Sequence, residues 1–185
     1  MLADALQRTG IDVLITREPG GSLGAETIRD LVLRGDPDTW DATSEALLMV
    51  AARRDHLVRA IRPALQAGRW VVCDRFADST LAYQGYGRGV PLEMLRELHR
   101  FICDGIHPDL TLILDLPVET GLARAAERTR FERMGGDFHE RMRRGFLEIA
   151  KLAPERCAVI DATGDVATVA RAVSAAVRDR LKIAL

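Results

Sequence analysis

The chain has 185 residues, 48% of them hydrophobic and 29% charged, which is the profile of one globular domain with ample material for a core. Its net charge of −1 excludes a global basic field for gripping duplex nucleic acid, so an anionic ligand must be met by local arginines. Cys73, Cys103 and Cys157 lie far apart with no CxxC pair or Cys/His cluster, which argues against a disulfide framework or structural zinc and fits a reducing cytoplasm.

Met1 to Gly10, with Leu2, Ala5 and Leu6 on one face and Gly10 as a stop, predict the C-terminal half of a helix without an N-cap. This start has neither the basic region nor the cleavage pattern of a signal peptide. No apolar run approaches the roughly 18 residues of a membrane span. Val13-Leu14-Ile15 predicts a strand. Ser22 is a plausible N-cap for the helix holding Ile28, Leu31 and Val32. Leu47, Val50, Leu57, Ile61 and Leu65 recur at helical steps, with Gly68 as the C-terminal cap. Trp70-Val71-Val72-Cys73, Leu110 to Leu114 and Ala158-Val159-Ile160 predict three more strands, all reading as buried on both faces. Phe138, Met142, Phe146 and Ile149 mark one further helix, and Val166, Val169, Val173, Val177 and Leu181 the last. Alternating strands and helices with no repeat or linker predict a single α/β domain over 1–185 with a mostly parallel sheet.

Every strand runs into polar residues: Thr16-Arg17-Glu18, Asp74-Arg75, Asp115 and Asp161. Ligands of open α/β sheets bind beyond the carboxyl ends of the strands, so these residues are expected on one functional rim. In Thr16-Arg17-Glu18-Pro19-Gly20-Gly21, Pro19 fixes one dihedral and the glycines free two, which allows a sharp turn against a ligand. Arg53 offers a planar fork of donors; by the helix alone it reads as a solvated arginine beside Arg54 and Asp55. The pair Asp74-Arg75 past a buried strand is costly unless paired or used on a ligand. Arg124, Arg128, Arg130, Arg133, Arg141, Arg143 and Arg144 crowd a stretch containing Gly135-Gly136, as a mobile lid at about 128–137 would require, although Arg143 and Arg144 read better as a solvated helix face. His56, His99, His107 and His139 are scattered and read as packing or surface residues.

The TREPGG hexapeptide, the segment Asp74-Arg75-Phe76 leading to Tyr83-Gln84-Gly85, and Arg130-Phe131-Glu132 followed by Phe138-His139-Glu140-Arg141 together resemble bacterial thymidylate kinases, in order, from residue 1 to about 165. The resemblance implies a P-loop nucleoside monophosphate kinase-like parallel sheet flanked by helices, and transfer of the ATP γ-phosphate to dTMP to give dTDP with Mg2+. It implies that Arg75 holds the acceptor phosphate, that Asp74 supports the metal, and that the lid arginines Arg128 and Arg130 neutralise the transferring group, with Arg128 and Arg133 on the ATP side. Arg17, Glu18, Pro19, Met49, Arg53, Ser79, Thr80, Tyr83 and Gln84 then line the nucleoside side, Arg53 meeting a thymine carbonyl and Tyr83 the sugar. It further implies a cytoplasmic homodimer with no nucleic-acid or membrane partner.

Three departures stand out. The 185 residues contain no GxxxxGK(S/T) run and no strand ahead of the first helix. The resemblance puts that strand centrally, between those ending at Cys73 and Leu114, so a shortened version of a protein longer by roughly 20–30 residues is expected. Met49 stands where the family usually stacks a phenylalanine on thymine, and Thr129 where the lid usually has an acid. The alternatives are a non-catalytic, degenerate nucleotide-binding relative, or a kinase for another pyrimidine monophosphate.

Overall fold

The computed structural model describes residues 1–125 and 129–185. Helix α1 (Leu2–Arg8) buries Ala3 and Leu6 against Val13 of β1 (Val13–Arg17). Ser22 is the N-cap of α2 (Leu23–Leu33), but its hydroxyl donates to Asp55 Oδ2 at 2.6 Å rather than capping. Asp41 caps α3 (Ala42–His56) by accepting from the backbone N–H groups of Thr43 and Ser44 at 2.9 and 3.1 Å.

The long helix expected through Leu65 is interrupted. A π-helical turn, Leu57–Ile61, separates α3 from α4 (Arg62–Gln66). Pro63 lacks an N–H and its ring crowds the carbonyl four residues back, so the widened turn just before it absorbs the mismatch. Gly68, at φ 74°, closes the helix as expected. Val50, Leu57 and Ile61 pack with Ile102 and Cys103, whereas Leu47 and Leu65 are 48% and 44% exposed. After β2 (Trp70–Asp74) come a single turn, α5 (Ala77–Thr80), and a second π-helical turn, Leu81–Gly87. Then follow α6 (Leu92–Cys103), β3 (Thr111–Asp115), α7 (Val118–Arg124), α8 (Gly136–Leu152), β4 (Cys157–Asp161) and α9 (Val166–Leu181).

The strands pair in parallel, β1 with β2 and β3 with β4. No ladder joins the two pairs among the described residues. The expectation of strands buried on both faces needs correction, because Ile15, Leu114 and Val159 are 61%, 50% and 48% exposed. Ile15 shares the face of Val13, but the seven-residue α1 packs on Val13 and leaves Ile15 uncovered. Tyr83, Tyr86, Met142 and Phe146 pack with Ile113, Ile149 and Cys157, joining α8 to the second pair. No helix among the described residues is long and apolar enough to cross a membrane.

Candidate active site

The register sets Arg17 opposite Asp74 and Asp115 opposite Asp161, so the first pair ends in a basic and an acidic residue and the second in two aspartates. Behind the first pair, Arg53 is a buried cation, 2% exposed. Its Nε donates to Glu18 Oε2 at 2.7 Å and its Nη2 to Thr80 Oγ1 at 2.9 Å. Its guanidinium carbon lies 5.2 Å from the centre of the Phe76 ring. The solvated reading of Arg53 thus fails, since a paired charge costs far less to bury than a free one. Three expected residues, Glu18, Arg53 and Thr80, form one cluster.

His56 completes the cluster. Its Nδ1 lies 3.2 Å from Glu18 Oε1 and its Nε2 2.7 Å from Thr16 Oγ1. A carboxylate only accepts, so Nδ1 carries the proton and donates to it. Gly21, at φ 84°, passes so close that a Cβ there would strike the His56 ring and the Thr16 hydroxyl. The TREPGG turn is therefore seated on His56, a residue read from the sequence as packing or surface. Its signal was present: Glu45, Met49, Arg53 and His56 fall at steps of four, four and three along α3, so three polar residues share one buried face with Met49.

Asp74 and Arg75 stand exposed at the end of β2. No ion pair engages either among the described residues. Arg75 adopts φ 70°, unusual for a residue with a Cβ, and its guanidinium carbon lies 4.9 Å from the centre of the Tyr83 ring. Tyr83 is held edge-on by Phe131, Phe138 and Phe146 at 5.4, 6.0 and 6.3 Å. Met49 is 8% exposed one turn before Arg53, and Ser79 is buried beside Thr80. The Pro19 carbonyl accepts from Arg29 at 2.8 Å, and Arg17 pairs loosely with Glu26 at 3.2 Å.

Other expected site residues are occupied elsewhere. Gln84 is fully buried and its Nε2 donates to Glu45 Oε1 at 2.7 Å. Arg130 was expected on the transferring phosphate. It is instead fully buried, donating to the carbonyls of Val32 and Pro37 at 3.0 and 2.9 Å and to the Glu45 carboxylate. Arg133 donates to the Gly35 carbonyl. Arg128 lies outside the described residues. Arg143, read as a solvated arginine, makes a bidentate pair with Asp115 at 2.7 and 3.0 Å and holds that carboxyl below its ordinary range.

The thymidylate kinase family model matches residues 1–173. A thymidylate kinase of Caulobacter vibrioides is 54% identical over 183 residues, covering 97% of this chain and 88% of that protein. One of Ruegeria pomeroyi is 52% identical over 178 residues, covering 94% and 84%. The crystal structure of the Ehrlichia chaffeensis thymidylate kinase superposes with a TM-score of 0.74 at 35% identity, covering 94% of this chain and 86% of that one. A buried Arg53–Glu18–Thr80 cluster under the TREPGG turn, together with matches of this extent, leads to one assignment: the chain belongs to the thymidylate kinase family.

Proposed function

We propose that this protein is a dTMP kinase, moving the γ-phosphoryl group of ATP to dTMP and so supplying a DNA precursor. The observation that carries the reading is Arg53, fixed by Glu18 and Thr80 with Nε and Nη2 committed and Nη1 left for a ligand carbonyl. A thymine ring bonded there lies over Met49, whose polarisable sulfur packs on its face. Thr80 and Ser79 address the base edge. Tyr83 fills the space a 2′-hydroxyl needs. Arg75, at the rim, takes the acceptor phosphate, and Arg17, Glu18 and Pro19 shape the loop beside it.

Phosphoryl transfer asks little covalent chemistry of a protein, so positioning and charge neutralisation do most of the work. Held by Arg53 at the base and Arg75 at the phosphate, dTMP presents a phosphate oxygen in line with the γ-phosphorus. That bond forms as the bond to the bridging oxygen breaks, and ADP leaves. Arg128 neutralises charge from the lid, with Arg133 on the ATP side. Arg130 would have to leave its present acceptors to share that task. Asp74, an exposed carboxylate with no ion-pair partner among the described residues, suits a hard cation such as Mg2+. Mg2+, when bound, offsets the charge of the ATP phosphates. The reading includes one domain over 1–185, a cytoplasmic location, and a homodimer through flanking helices, where Leu47, Val58, Leu65 and Phe101 are exposed.

The test pairs calorimetry with an ADP-release assay. dTMP should bind, outcompete dUMP and dCMP, and be required for ADP release. Binding without release would point to a binding relative; preference for dUMP or dCMP would reassign the acceptor; no binding would overturn the reading.

A further inference from the structure

Glu45, in the first turn of α3, is completely buried, and among the residues assigned to dTMP above its carboxylate is hydrogen-bonded to Gln84. Gln84 Nε2 donates to its Oε1 at 2.7 Å. Arg88 Nη1 donates to its Oε2 at 2.6 Å, and Arg130 Nη2 donates to the same oxygen. Gln84 lies within the turn that carries Tyr83 and Arg88 directly follows it, and Arg88 also donates to the Trp40 carbonyl at 2.8 Å. One carboxylate thus gathers three segments far apart in sequence.

The segment contributing Arg130 is seated on the loop between α2 and α3. The Arg130 backbone N–H donates to Leu33 O at 3.2 Å, while its side chain reaches Val32 O and Pro37 O. Arg133 adds the Gly35 carbonyl, and Phe131, 6% exposed, stands edge-on to Tyr83. The charges make this seat releasable. Removing the sole partner of a buried carboxylate is expensive. Glu45 has two arginines, so the departure of Arg130 leaves a neutral Glu45–Arg88 pair. The amino end of α3 adds its own positive potential beside the carboxylate.

We propose that Glu45 is a positioning residue that latches segment 129–134, through Arg130, onto the wall of the acceptor pocket. It acts through Arg130 and Phe131 on Tyr83, and rests on the dTMP reading only for what the pocket holds. Arg130 is then the latch, engaged by protein acceptors, and not the arginine that meets the transferred phosphate.

Hydrogen–deuterium exchange on wild type, Arg130→Met, Glu45→Gln and the double variant, with and without dTMP, tests this. In the dTMP-free protein each single variant should speed exchange of 129–134 and 81–88 by about tenfold while β1 and α6 keep wild-type rates. The double variant should be no faster than the faster single one, since both break one link. dTMP affinity should fall about threefold to tenfold in each. Arg130→Met keeps the Glu45–Arg88 pair and carries the test if Glu45→Gln does not fold. Unchanged exchange in 129–134, or acceleration spread evenly over the chain, would overturn the latch. Failure of dTMP to bind the wild type would strike the kinase reading alone, because dTMP-free exchange judges the latch by itself.

Discussion

Arg75 shows how a single residue carries both a cost and a use. At φ 70° its Cβ crowds the backbone, which costs on the order of 1 kcal/mol in a residue other than glycine. Exposed, and with its guanidinium engaged among the described residues by the Tyr83 ring alone, it recovers little of that through the fold. Such strain persists where a ligand uses the side chain. Replacing Arg75 by Ala keeps the strain and removes the guanidinium; replacing it by Gly removes both. Both variants should lose about a thousandfold in kcat/KM for dTMP, while Gly is more stable than Ala by about 1 kcal/mol in urea denaturation. Activity near wild type in either variant would remove Arg75 from the phosphate site, and equal stabilities would show that the backbone bears no strain there.

At the scale of elements, α8 is fastened to the end of β3 by Arg143 and Asp115, a third and a quarter exposed respectively. The bidentate bond from Arg143 lowers the Asp115 carboxyl below its ordinary 3.8, against the opposing effects of partial burial and of Asp161. A carboxyl depressed in the folded state contributes stability that is present above its unfolded value and is lost as pH falls through the folded one. Arg143→Gln should therefore cost about 1 kcal/mol at pH 7 and progressively less below pH 3.8. A pH-independent difference in unfolding free energy would sink this account. The four strands and the helices α1 to α4, α8 and α9 were legible from period and punctuation, because apolar runs and helical spacing leave local marks in sequence, whereas α6, α7 and the two π-helical turns were not read. The roles of Arg143, His56 and Glu45 were not, because each is defined by a partner 28 to 85 residues away. No local spacing reports such pairings, and a charged residue on a helix reads as solvated until its partner is known.

For the whole molecule, the question is what holds two separate strand pairs in one body. Apolar residues of the turn after β2, Ala82, Tyr83 and Tyr86, pack with Ile113 and Cys157 of the second pair and with Ile149 of α8. A polar clamp adds direction. Asp78, 6% exposed in the turn after β2, accepts from Arg156 Nη1 and Nη2 at 2.6 and 2.8 Å and from Thr111 Oγ1 at 3.1 Å. Thr111 opens β3 and Arg156 immediately precedes β4, so one carboxylate from the first pair grips both strands of the second. No reading of the sequence singled out Asp78, and its cross-link became visible once both pairs were placed. Breaking a buried ion pair by removing one charge leaves the other uncompensated, at about 3–5 kcal/mol; Arg156 is 28% exposed, which moves the expectation to about 3. Asp78→Asn should therefore lower the unfolding free energy by about 3 kcal/mol, while Asp30→Asn, which removes an exposed pair with Arg34, should change it by less than about 0.5. Exchange of the β3 and β4 amides should speed up in Asp78→Asn before those of β1 and β2, because the clamp is the polar tie of the second pair to the first. Equal effects of the two substitutions would mean that apolar packing alone joins the halves.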